Sequence, residues 1–107
     1  MLPTLGNLEE LILLVVLVLN GEAYGVSVTE EYFQRTGRNI SIPAVHTVLK
    51  RLEKKGLVTS RMGGSTTERG GRKKRLFEIT PYGYRVLAEI QQSREQLWKV
   101  APKLGFT

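Results

Sequence analysis

Apolar residues fall in blocks of differing period along this chain, and each block predicts an element. From Leu8 to Leu19 almost every residue after the glutamates is apolar. Asn7 is a good N-cap, Glu10 three residues on completes a capping-box pattern, and Asn20-Gly21 ends the run. Leu11, Leu14, Val15 and Val18 make one face of this first helix, while Ile12, Val16 and Leu19 spread onto another. A helix apolar all round must be covered on several sides, and part of that cover is expected from a second subunit. Tyr24-Gly25 opens a second helical segment, about 25–35, with Val28 and Tyr32 on one face and Thr36-Gly37 as its stop.

The third segment, 41–55, has the clearest helical period. Ile42, Val45, Val48, Leu49 and Leu52 form one apolar face. Ser41 can cap it, Pro43 is tolerated in a first turn, and Gly56 suits a left-handed stop. The opposite face carries Ala44, His46, Thr47, Lys50, Arg51 and Lys54, small and polar first and basic later. That order suits a helix whose first half enters a DNA groove and whose later turns touch phosphates; an ordinary solvent face is the alternative.

The period then changes to two. A strand is expected over about 57–62 and a second over about 74–79, where Arg75, Phe77 and Ile79 alternate with Lys74, Leu76 and Glu78. Between them lies a Gly-rich basic segment, from which "TERGGRKKR" (67–75) runs into the second strand, so the pair makes a hairpin with a large projecting loop. Thr80-Pro81 restarts a helix that runs to about residue 100. Its apolar positions are Val86, Leu87, Ile90, Leu97, Trp98, Val100 and Ala101, interrupted by the polar run 91–96. Twenty residues span about 30 Å, longer than the body of so small a domain, so the outer half is expected to pair with a second subunit. A helix folded back on its own domain is the alternative.

Charge sharpens this picture. Residues 1–40 hold five Glu and two Arg, a net of −3. Residues 41–75 hold ten Lys or Arg and two Glu, a net of +8, and the remainder carries +1. A basic middle between near-neutral flanks points to one surface with a polyanionic partner. The 107 residues fit one domain unit with a modest core. Without cysteine there is no disulfide or thiolate metal site, and the single His46 has no neighbouring ligand, so no metal or cofactor is expected. The run from Leu11 to Leu19 is too short to span a membrane and follows two glutamates, which points to the cytoplasm. Gly64 and Gly70 lack the spacing of a nucleotide-binding loop, and the stretch leads into a strand; no enzyme is expected.

Helix, helix, helix, strand, loop, strand, helix is the order of a winged helix-turn-helix. The fold class is therefore mainly α with a small β-hairpin (α+β). Residues 1–80 are expected to form the DNA-binding domain and 81–107 a C-terminal dimerisation helix. Three stretches, "LEELILLVVLVLNGEAYG", "SIPAVHTVLKRLEKKGLV" and "ERGGRKKRLFEITPYG", give the motif set Ala23-Tyr24-Gly25, Leu49-x-x-Leu52-Glu53-x-x-Gly56-Leu57 and Gly70-Gly71-Arg72. In combination they resemble PadR-like transcriptional regulators, in the short form with a single C-terminal helix. The resemblance implies a homodimeric repressor on double-stranded DNA, with the third helix in the major groove and the loop, or wing, on the backbone or minor groove. It further implies that the last helices of two subunits cross, helped by the first helix. The family commonly has a tyrosine where this chain has His46 and a small residue where it has Pro43, so the base preference of known members is not carried over.

The DNA-contact candidates are thus Ser41, Pro43, Ala44, His46, Thr47, Lys50 and Arg51 on the helix, with Thr67, Arg69, Gly70, Gly71, Arg72, Lys73 and Lys74 in the wing. Glycines allow close approach to phosphate, and Arg69 or Arg72 can enter a narrow minor groove; a basic loop without specificity is the alternative. The interface candidates are Leu11, Val15, Val86, Ile90, Leu97, Trp98 and Ala101. Some short family members bind flat aromatic compounds between aromatic residues of the last helix, which makes Trp98 the candidate for an aromatic inducer; plain interface packing is the other reading. A winged-helix module that binds protein rather than DNA is the alternative for the whole chain.

Overall fold

A computed structural model describes residues 5–65 and 73–106 of the protein. In chain order the elements are α1 (Asn7–Leu19), α2 (Gly25–Thr36), α3 (Ile42–Lys54), β1 (Val58–Ser65), β2 (Lys73–Ile79) and α4 (Pro81–Val100). Helix α1 is the central strut, packed against α2, α3, β2 and α4. Its Ile12, Leu13, Val15 and Val16 join Val28 and Tyr32 of α2, Val45, Val48, Leu49 and Leu52 of α3, Phe77 of β2 and Val86 and Leu87 of α4 in one core. The apolar surplus of α1 stays partly uncovered, with Leu11, Leu14 and Leu17 half-buried and Val18 exposed.

The capping box expected from Asn7 and Glu10 is displaced by one residue. Gly6 is the N-cap, and its N–H donates to Glu9 Oε1 at 3.0 Å. The shift frees Glu10 for a different contact. It is 4% exposed, and Arg94 of α4 reaches it with Nη2 donating to Oε2 at 2.9 Å. The second oxygen, Oε1, lies 2.7 Å from Nη1, close in charge but off the hydrogen-bonding direction.

Helix α3 ends as its sequence predicts. Gly56 takes φ +76°, its N–H bonds to Glu53 O, and the Leu57 N–H bonds back to Leu52 O. This double closure buries Leu57 and turns the chain directly into β1. The two strands pair antiparallel, with Val58 opposite Ile79 and Gly63 opposite Lys74. The register shifts between Gly63 and Ser65, where the pairing accommodates an extra residue. Ala23 bridges Phe77 on the other edge of β2, its carbonyl accepting the Phe77 N–H at 2.8 Å.

Thr80 then ties α4 to the end of α3. Its Oγ1 accepts from Gly83 N–H at 2.9 Å and donates to Gly56 O at 2.8 Å, while its N–H donates to Leu57 O. From this anchor α4 runs outward. Val86 and Leu87 are buried and Ile90 is half-buried, but every residue from 91 to 106 is exposed. The molecule measures 53 Å along its longest axis and 20 Å along its shortest.

Candidate nucleic-acid interface

At 100° per residue the four buried residues of α3 occupy one side, which puts Pro43, Thr47, Lys50 and Lys54 at the opposite side. These four are exposed, as are Ser41 and Arg51, while Ala44 is half-buried at the flank. Ser41 Oγ accepts the Ala44 N–H at 3.2 Å, so this hydroxyl caps the helix it opens. Thr47 Oγ1 donates to Pro43 O at 3.1 Å, which fixes its rotamer and leaves its lone pairs outward.

Two positions differ from the sequence expectation. His46 is placed on the α2 flank rather than in the middle of the outer face. Its ring lies against Gly25 so closely that a methyl on Gly25 would stand 2.6 Å from Nε2. The reason is angular: His46 sits about 60° from Leu49, next to the core stripe. Ile42, assigned by period to that stripe, is 40% exposed beside Ser41 and Pro43. The first turn of α3 thus presents an apolar side chain to solvent among its polar neighbours.

The hairpin supplies the second half of the surface. Thr67, Arg69, Gly70, Gly71 and Arg72 lie outside the described residues. Of the remaining wing candidates, Lys73 is exposed and Lys74 is half-buried with its Nζ 4.3 Å from the centre of the Tyr24 ring. Arg61, Met62 and Arg75 add exposed side chains to the strands. The hairpin is joined to α3 through side chains: Ser60 Oγ donates to Glu53 Oε2 at 2.6 Å, and Arg75 Nη1 donates to Ser60 Oγ at 3.0 Å. Lys50, Arg51 and Lys54 of α3 and Arg61, Lys73 and Arg75 of the hairpin are thus cations on two elements linked by side-chain hydrogen bonds. Period alone missed Arg61, Met62 and Tyr24, because their places depend on strand register and on a partner distant in sequence.

On the far side of the molecule the interface candidates divide. Val15 and Val86 are consumed by the chain's own core and offer no surface to a partner. The pattern of apolar residues cannot separate a core face from an interface face, and α4 meets α1 at this level. Leu11 and Ile90 are half-buried, and Leu97 (70% exposed), Trp98 (79%) and Ala101 stand in the open. Along α4 these residues continue the stripe of Val86, Leu87 and Ile90 beyond the end of the body. A shallow groove at the base of this stripe is lined by Leu14, Leu17, Tyr84, Leu87, Ala88 and Gln91. No group of His, Cys, Asp or Glu with metal-ligand geometry occurs among the described residues, and no described helix is long and apolar enough to cross a membrane.

The fold has close counterparts among solved structures. A PadR-like transcriptional regulator from Bacillus cereus superposes with a TM-score of 0.70 at 23% identity, covering 86% of this chain and 84% of that one. A PadR family transcription regulator from Clostridium difficile gives 0.69 at 23% identity, with 89% and 94% covered. One from Eggerthella lenta gives 0.60 at 27% identity, with 80% and 75% covered. No curated protein sequence matches the chain. The sequence profile of the transcriptional regulator PadR-like family matches residues 13–99, from the core of α1 through the last turn of α4. With helix-turn-helix, hairpin and projecting helix all inside that match, the chain belongs to the PadR-like family of transcriptional regulators.

Proposed function

We propose that the protein is a sequence-specific DNA-binding regulator, acting as a repressor and as a homodimer on a pseudo-palindromic operator. The observation that carries this is the outer face of α3, whose Thr47, Lys50, Arg51 and Lys54 are solvent-exposed on a helix fastened to the basic hairpin by Glu53, Ser60 and Arg75. Ser41, Ile42, Pro43 and Thr47 enter the major groove, and Lys50, Arg51 and Lys54 meet the flanking phosphates. The wing residues Thr67, Arg69, Gly70, Gly71 and Arg72 reach the backbone or the minor groove. Residues 1–80 serve DNA binding and 81–107 dimerisation, with Leu97, Trp98 and Ala101 of each α4 packed on the partner. Half-sites lie about one helical turn, about 10 bp, apart.

A mobility shift on DNA from the protein's own promoter region tests this, with random DNA at matched salt as reference. Specific binding should lose affinity with salt in proportion to the phosphates contacted, about 0.9 of log–log slope each. Binding no tighter than to random DNA would refute it. The exposed Trp98, beside Arg94, Leu97 and Ala101, is also the place for a flat aromatic inducer. Quenching of Trp98 fluorescence with release of DNA would support that role; no response across a broad panel leaves Trp98 to the interface.

A further inference from the structure

Lys74 and Arg75 are consecutive in β2, so their side chains leave opposite faces of the hairpin. Neither charge is aimed simply outward. On one face Arg75 bonds to Ser60, which bonds to Glu53 of α3. On the other, the Lys74 ammonium stands 4.3 Å from the ring centre of Tyr24, the residue that opens α2. Between them runs a backbone link, the Phe77 N–H to Ala23 O. Lys74 lies three residues beyond Phe77 toward the loop, so the ring contact holds the strand further out than the backbone bond does.

This placement matters because α3 and the wing must meet one duplex at the same time. An eight-residue strand is about 26 Å long, and a tilt of about 10° at its root displaces the tip by about 4 Å, enough to lose a phosphate contact. A cation held over an aromatic face is a directional restraint against that tilt. We propose that Tyr24 and Lys74 are positioning residues for DNA binding. Their contact sets the angle between the wing and the helix-turn-helix, and Lys74 makes no phosphate contact of its own. The proposal rests on the DNA-binding reading above.

The test combines DNA affinity across a salt series with hydrogen exchange of the β2 amides in the free protein. Tyr24→Leu and Lys74→Met should each weaken binding about two- to five-fold, the loss of an ordinary cation–π contact. The double variant should lose no more than either single one, and the salt slope should stay unchanged. Exchange at the Phe77 amide should quicken in both. Tyr24→Phe keeps a ring for the ammonium and should match the wild type throughout. Lys74→Met alters only a half-buried surface site and keeps the test decisive if Tyr24→Leu fails to fold.

A salt slope flattened by about 0.9 in Lys74→Met, with affinity intact in Tyr24→Leu, would make Lys74 a phosphate contact and overturn the proposal. If the wild type does not distinguish promoter from random DNA, the regulator reading fails on its own. Hydrogen exchange then decides about the brace separately: unchanged protection of β2 in Lys74→Met would eliminate it.

Discussion

Two glycines show how differently one added methyl is received. At Gly83 it would run into the Leu57 carbonyl oxygen and carbon and press on Ile79. That backbone cannot yield, because Thr80 bonds to both Gly56 and Leu57. Gly83→Ala is therefore expected to destabilise by about 2–3 kcal/mol, measured as a lower urea midpoint at unchanged m-value. At Gly25 the methyl would meet the end of the His46 ring, which can rotate away, and the same substitution should cost about 1 kcal/mol or less. Glu9 is a residue whose effect depends on pH. Burial at the N-terminus of α1 opposes its charge, but the Lys55 ammonium, 2.8 Å from Oε2, and the Gly6 N–H outweigh this and hold the carboxyl below its ordinary value. A carboxylate with a depressed folded-state pKa adds stability above the unfolded value near 4.5 and loses it as pH falls through the folded value. Glu9→Gln should thus cost about 1 kcal/mol at pH 7 and show a flatter decline in stability below about pH 5.

At the scale of elements, helix and strand identities were legible because their signals are local: Ser41, Gly56 and Thr80-Pro81 mark ends, and period marks faces. What stayed hidden depends on pairs far apart in sequence. Glu10 read as half of a capping box and Arg94 as an interruption of the α4 stripe, yet together they clamp α4 to α1. His46 read as a member of the outer face, and its neighbour Gly25 of α2, distant in sequence, could not be seen from the period of α3. The clamp has a testable energetic signature. Removing Arg94 strands a buried carboxylate, so Arg94→Met should destabilise by about 2 kcal/mol. That is less than a fully buried pair would lose, since the Arg94 side chain is 55% exposed. Adding Glu10→Leu to Arg94→Met should recover most of that loss. A urea double-mutant cycle measures the coupling, and additive effects of the two single changes would show that α4 does not depend on the clamp.

The whole molecule is too elongated for its own core. A compact chain of this length has a radius of gyration of about 13 Å, against 15.6 Å here, and the outward half of α4, exposed throughout, is one element that extends beyond the core. Leu97, Trp98 and Val100 on the outward arm expose apolar surface that the core described above leaves uncovered. In the proposed dimer the arm of one subunit would lie along the base of the other, where Leu14, Leu17 and Tyr84 line a partly open apolar groove. On this reading Trp98→Glu desolvates a charge at the centre of the contact and should yield a monomer in sedimentation velocity, while the core around Phe77 and Leu49 stays folded. The consequence reaches DNA. Two half-sites held by one dimer are bound in a single event, and separated subunits lose that linkage, so affinity for the full operator should fall by at least about 100-fold. A half-site duplex, which only one subunit can read, should lose far less. Equal losses on half-site and full-site duplexes would place Trp98 at the DNA-binding surface rather than the dimer contact.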